Sequence, residues 1–178
     1  MNSPQPTGMD DAPDLRDRRG TLGVDGSGEW QIRFERHLSH APERAWQALT
    51  DPAQQASWLP GVTIEPIVGG AVVFDFGEEG TATGEVRVVE AERCLEHTWL
   101  WPGEPESVVR WELSAEGTGT LLTLSHRPVR RDPAVDYSTG WHAMLDALHV
   151  HLDGGDPAEL EVDFERLSEL YRAGSEFR

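Results

Sequence analysis

Between Val72 and His126 apolar and polar side chains change places at nearly every step, and few folds can absorb such a pattern. Val72, Phe74 and Phe76 oppose Val73 and Asp75, while Gly84, Val86 and Val88 oppose Glu85 and Arg87. Leu95, His97, Trp99 and Trp101 oppose Glu96 and Thr98; Val109, Trp111 and Leu113 oppose Arg110 and Glu112; Leu122, Leu124 and His126 oppose Thr123 and Ser125. Each segment is a strand with one dry and one wet face, as in an antiparallel sheet covered on one side only. The cover follows in the chain. After Pro133, Trp141, Met144, Leu145, Leu148 and Leu152 recur at three- and four-residue spacing until Gly154-Gly155, which predicts a long amphipathic helix.

Ahead of the strand run, Trp30, Ile32, Phe34 and Leu38 alternate with polar residues in another strand, whose dry face is interrupted by Arg36. Pro42 then opens a short helix with Ala45, Trp46 and Leu49 on one face. Asp51-Pro52 opens a second that reaches Trp58, with Asp51 as cap and Pro52 at a position where its missing N–H costs nothing. Residues 1–28, rich in Pro, Gly, Asp and Arg, read as a mobile tail. Residues 29–155 read as one α+β domain. Residues 156–178 read as an acidic helix and tail, helical from Pro157 to about Ala173, with Leu160, Phe164, Leu167, Leu170 and Tyr171 as an apolar stripe for docking or for a homodimer.

Composition excludes several classes of function. A formal net charge of −17 over 178 residues repels phosphate backbones and anionic headgroups, so neither nucleic acid nor membrane is an expected partner. All 15 Lys+Arg residues are arginine, which closes Schiff-base chemistry. The single cysteine, Cys94, falls by parity on the outer face and forms no intrachain disulfide; with no apolar leader or spanning run, a cytoplasmic location is expected. Nucleophile-elbow, P-loop and dinucleotide motifs do not occur, and no cofactor is expected. His149 and His151 lie about 200° apart around a helix, and His142 and His149 about 10 Å apart along it, so no metal site is expected there.

The order of elements, together with Ala41-Pro42-Glu43-Arg44-Ala45-Trp46, Leu49-Thr50-Asp51-Pro52, Trp58, Gly69-Gly70, Thr83-Gly84-Glu85-Val86, Leu95 to Trp99, Gly119 to His126 and Gly140-Trp141 with Met144-Leu145, resembles the START-like (SRPBCC, birch-pollen-allergen-like) superfamily. More narrowly it is similar to the branch named after the activator of heat-shock protein 90 ATPase. The resemblance spans roughly residues 29–152 and implies a helix-grip fold, in which a curved antiparallel sheet wraps a long C-terminal helix. For function it implies one of three things: a carrier of lipids or other hydrophobic molecules, a polyketide cyclase or aromatase, or a co-chaperone-like partner protein.

A sheet gripping a helix leaves a concave space. By parity it is lined by Phe74, Phe76, Val86, Trp99, Trp101, Trp111, Leu124, Trp141, Met144 and Leu148, with Trp58 at its rim, and the expected ligand is small, hydrophobic or aromatic. His97, His126 and Arg36 are the polar residues on the dry face. They are candidates to orient a ligand or move a proton, against the commoner role of such residues in internal hydrogen bonds or, for Arg36, in an ion pair.

Overall fold

The computed structural model describes residues 18–24 and 26–174. Eight antiparallel strands form one sheet in the order β1-β2-β8-β7-β6-β5-β4-β3: β1 Thr21–Val24, β2 Trp30–Leu38, β3 Val62–Ile64, β4 Ala71–Asp75, β5 Thr81–Glu90, β6 Cys94–Trp99, β7 Ser107–Glu116 and β8 Gly119–Arg127. Helices α1 (Pro42–Thr50) and α2 (Pro52–Trp58) make the one long crossover, from β2 to β3. The sheet then runs as a meander to β8, which returns to pair with β2. Helix α3 (Arg131–Leu152) lies in the concave face, and α4 (Phe164–Gly174) packs against it. This is the helix-grip arrangement. Among the described residues no helix is long and apolar enough to cross a membrane.

Local chemistry sets the boundaries. The Asp51 carboxylate accepts hydrogen bonds from the Ala53 and Gln54 N–H groups, at 2.9 and 3.2 Å, satisfying donors that the first turn of α2 leaves free. Strand β5 pairs with β4 from Thr81 to Glu85 and with β6 from Val86 to Glu90, and Gly84 lies close to that change of partner. A Cβ there would stand 1.9 Å from the Thr98 carbonyl oxygen, so only glycine permits so close an approach of the two backbones.

Three expectations about these elements are corrected. Thr21–Val24, assigned to the tail, pairs with Trp30 to Arg33 and buries Leu22; residues 1–17 of that tail lie outside the described residues. Val88 is not on the dry face, because a β-bulge at Arg87 lets Val86 pair with His97 and Val88 with Glu96, which reverses the parity and turns Val89 inward. The last segment is not one helix: Pro157–Glu159 forms a single 3-10 turn capped by Asp156, the chain runs extended beyond it, and α4 begins only at Phe164. Leu167 and Tyr171 of α4 are buried on the domain itself, whereas Phe164 stays exposed. The Cys94 side chain, on the outer face by strand parity, is nevertheless covered, 3% exposed, and burial pushes its thiol pKa up.

Arg36 takes the ion-pair option. Its Nη1 donates to Asp146 Oδ1 of α3 at 2.7 Å; Arg18 Nη1 reaches the same oxygen at 3.0 Å, and His142 Nε2 stands 3.4 Å from Oδ2. Burial pulls the Arg36 pKa down against the pull of Asp146. Burial raises the Asp146 pKa, but the nearby His142 imidazole and the Arg36 guanidinium outweigh that and hold it below the ordinary carboxylate value. One carboxylate thus ties β2, α3 and the segment before β1 together. Removing it leaves the buried Arg36 guanidinium without its carboxylate, beside the partly exposed one of Arg18. Asp146→Ala is expected to lower the unfolding free energy by about 3–5 kcal/mol, read from urea denaturation midpoints at pH 7.5.

Candidate ligand-binding cleft

Strand register decides which dry-face residues meet. Val86, His97, Val109, His126 and Ile32 form one row across β5, β6, β7, β8 and β2, and Leu95, Trp111, Leu124 and Phe34 form the next. His97 and His126 are therefore two strands apart, with Val109 between them. Both are fully buried.

Each imidazole is held by an indole. Trp141 Nε1–H of α3 donates to His126 Nδ1 at 3.2 Å. An indole N–H can only donate, so that nitrogen is unprotonated and the proton sits on Nε2, which is 2.7 Å from Ser107 Oγ. The Ser107 hydroxyl in turn donates to the Trp99 carbonyl at 3.4 Å. His97 uses the other tautomer: Nδ1–H donates to the Thr98 carbonyl at 2.9 Å, and Nε2 accepts the Trp111 indole N–H at 3.3 Å. All four ring nitrogens are occupied. Burial pushes the His97 pKa down to about 4, and burial, reinforced by repulsion from His97, pushes His126 down to about 3. The two histidines are neutral hydrogen-bonded pieces of the core.

Arg36 does not join them; it lies in the ion cluster with Asp146, outside the cleft described next. The three polar candidates thus do not converge on one wall. Trp58 is not a rim residue either: it is 2% exposed, its Nε1–H donates to the Ala48 carbonyl at 2.8 Å, and its ring meets that of Trp111 edge-on. Phe74, Val86, Trp111, Leu124 and Leu148 are packed with it in the core.

The concave side stays open at one end. A cleft of about 710 Å3 lies between the N-terminal half of α3, the ends of β4 and β6, and α4. Of the residues singled out from the sequence, Phe76, Trp99, Trp101, Trp141 and Met144 line it. Their rings meet obliquely, with Trp99 and Trp141 centroids 5.6 Å apart at 55° and Phe76 and Trp101 5.9 Å apart at 47°. Gly80, at φ +133°, seats the outer wall, since a Cβ there would press against the Trp101 ring at 2.9 Å. The polar groups of the cleft escaped the sequence reading. Tyr137 of α3 donates its hydroxyl proton to Glu104 at 2.5 Å and accepts the Trp99 indole N–H at 3.4 Å. Burial, with the Glu104 hydrogen bond, raises the Tyr137 pKa above the ordinary phenol value. Tyr137 precedes the apolar stripe of α3 by one turn, but Glu104 sits in a loop without periodicity, and nothing in the spacing of the two announces their contact.

A curved antiparallel sheet closed on a C-terminal helix, with an aromatic cleft at one end of the grip, defines the helix-grip class of domain. Residues 39–153 match the family described as Activator of Hsp90 ATPase homolog 1-like protein, and the chain belongs to that family. Among solved structures it is similar to CalU16 from Micromonospora echinospora, at 25% identity and TM-score 0.71 over 90% of this chain and 98% of that one. It is also similar to protein MLL2253 from Mesorhizobium loti, at 32% identity and TM-score 0.63 over 71% and 98% of the two chains. A third similar structure is DynU16, a protein of the dynemicin biosynthetic locus, at 26% identity and TM-score 0.65 over 73% of this chain and 49% of that one. No curated protein matches the sequence.

The neutral histidines have a measurable consequence. Between the ordinary histidine pKa of about 6.5 and the lowered values the unfolded chain binds protons that the folded chain refuses, so stability falls as pH falls through that window. Each imidazole contributes up to about 1.4 kcal/mol per pH unit. Urea midpoints measured from pH 7.5 to pH 5 are expected to drop steeply below pH 6.5, and the drop is expected to be shallower in His97→Gln.

Proposed function

We propose that the protein binds a small, largely aromatic or apolar molecule in the cleft between α3, α4 and the ends of β4 and β6, and that it does so without chemical conversion of that molecule. The reading is carried by one contrast within the concave face: the core is filled around Trp111 and Trp141, whereas the space beside Phe76, Trp99 and Trp101 stays open. A volume of about 710 Å3 suits a drug-sized molecule. The noncatalytic part rests on the saturated hydrogen bonding of His97 and His126, neither of which offers the cleft a nitrogen for proton transfer. DynU16, which belongs to a biosynthetic locus, adds weight to a natural product as ligand.

Gly140 is the position from which to test it. It lies on α3 in the cleft lining, and a Cβ there would meet only the Met144 Cε, at 3.8 Å. A phenylalanine at that position projects into the cleft without disturbing the core. The helix gains by losing its interior glycine, and Gly140→Ala alone is expected to stabilise the protein by roughly 0.5–1 kcal/mol. In a thermal-shift and tryptophan-fluorescence screen against flavonoids, sterols, fatty acids and aromatic polyketides, a ligand at about a hundred times its Kd adds roughly 2.7 kcal/mol to the stability of the wild type. Gly140→Phe is expected to keep its fold and lose that response. Silence of the wild type across the panel, with the protein folded, would overturn the reading and leave the protein's surface as its working part.

A further inference from the structure

The charge of the cleft is as one-sided as its apolarity. Six aromatic rings, those of Phe76, Trp99, Trp101, Tyr137, Trp141 and Phe164, stand around it, and three carboxylates, Glu79, Glu104 and Asp136, belong to the same lining. Among the described residues neither Arg nor His contributes to that lining. The arginine and histidines of the concave face are committed elsewhere, Arg36 to Asp146 and the two imidazoles to indole partners.

We infer that the cleft is selective for a cation: a molecule with an apolar or aromatic body and an amine or quaternary ammonium group, held against π faces beneath an acidic rim. The inference rests on the ligand-binding reading above and narrows it. A ring presents negative electrostatic potential on its face, so oblique rings around one space attract a positive charge, more strongly where water is displaced. Trp99 and Tyr137 stand at right angles, with centroids 5.8 Å apart, and Trp141 joins Trp99 at 5.6 Å, so rings in several orientations meet at the wall of one cleft.

Glu104 adds a formal charge at the edge of these rings. It is half-buried, and Tyr137, donating to it, fixes its carboxylate at the mouth. Tyr137 has no proton left to offer, because its hydroxyl donates to Glu104 and its oxygen receives the Trp99 N–H. A carboxylate or phosphate ligand would therefore meet three like charges and no donor among these groups. An ammonium group meets an acceptor in each of these carboxylates. The net charge of −17 acts in the same direction at longer range, raising the local concentration of cations and depleting anions. Fatty acids and carboxylated aromatics are thus the wrong sign for this cleft, although their apolar parts would fit.

The test compares three probes that share one aromatic body: (naphthalen-2-ylmethyl)trimethylammonium, 2-naphthaleneethanol and 2-naphthylacetate, titrated calorimetrically into the full chain at low and at 0.5 M salt. The ammonium probe is expected to bind about tenfold or more tighter than the alcohol, with 2-naphthylacetate the weakest, and the gap is expected to narrow in salt. In the double variant Glu104→Gln, Asp136→Asn the ratio of the ammonium and alcohol affinities is expected to fall towards one; glutamine keeps an oxygen to accept the Tyr137 proton, and circular dichroism checks the fold. Equal affinity for the alcohol and the ammonium, or tightest binding of 2-naphthylacetate, overturns the cation selectivity while leaving an apolar binding cleft in place. Failure of all three to bind, with the protein folded, overturns both readings.

Discussion

The hydrogen bond from the Trp141 indole to His126 fixes the depth at which the long helix sits in the sheet. Without it, an indole N–H and an imidazole nitrogen would both be buried unpaired, each at a cost of about 1–3 kcal/mol. With it, α3 can slide neither along the concave face nor away from it. The Trp141 ring also packs against Phe74, Trp99 and Trp111, so the same contact that seats the helix closes the filled part of the interior and marks where the open part begins. The parallel bond from Trp111 to His97 holds a second imidazole in the opposite tautomer. The pattern is a core in which each imidazole is satisfied by an indole on one side and by a carbonyl or hydroxyl on the other.

Beside this dry region lies the ion cluster around Asp146, and at the other end the cleft. The three zones divide the circumference of α3 between them. Asp146 and His142 face the arginines, Trp141 and Leu145 fill the middle, and Tyr137, Gly140 and Met144 face the open space. One helix therefore carries an anchor, a plug and a wall. The positive charges of the concave side are gathered at its anchor, and the wall is left to carboxylates and rings.

Much of this could be read from the sequence. Strand parity depends only on local alternation, and it placed Phe74, His97, Trp111, Leu124 and His126 on the dry face correctly. It failed at Val88, because one extra residue in a strand leaves no mark on composition while turning every later side chain over. The strand Thr21–Val24 was illegible for a different reason: it offers a single buried apolar residue, Leu22, and owes its existence to the edge of β2. What depends on register between distant strands was beyond reach, including the row shared by His97 and His126. So was what depends on where a loop lies, as with Glu104 and Tyr137. The division between core and cleft within a set of aromatic residues is of this second kind, since parity assigns Trp101 and Trp111 the same face and only packing tells them apart.

The hydroxyl of Tyr171 on α4 accepts the backbone N–H of Gly20 at 3.0 Å and lies 2.8 Å from His142 Nδ1, in a contact 151 residues long in sequence. In topological terms the domain is almost a ring, with the described start and finish of the chain meeting over α3. The entropy of closing so long a loop grows only with the logarithm of its length, each doubling costing about 0.6 kcal/mol, so the closure is hardly dearer than joining half the chain. With Gly20 and Tyr171 in contact, the order in which the elements between them are synthesised is separable from the way they pack.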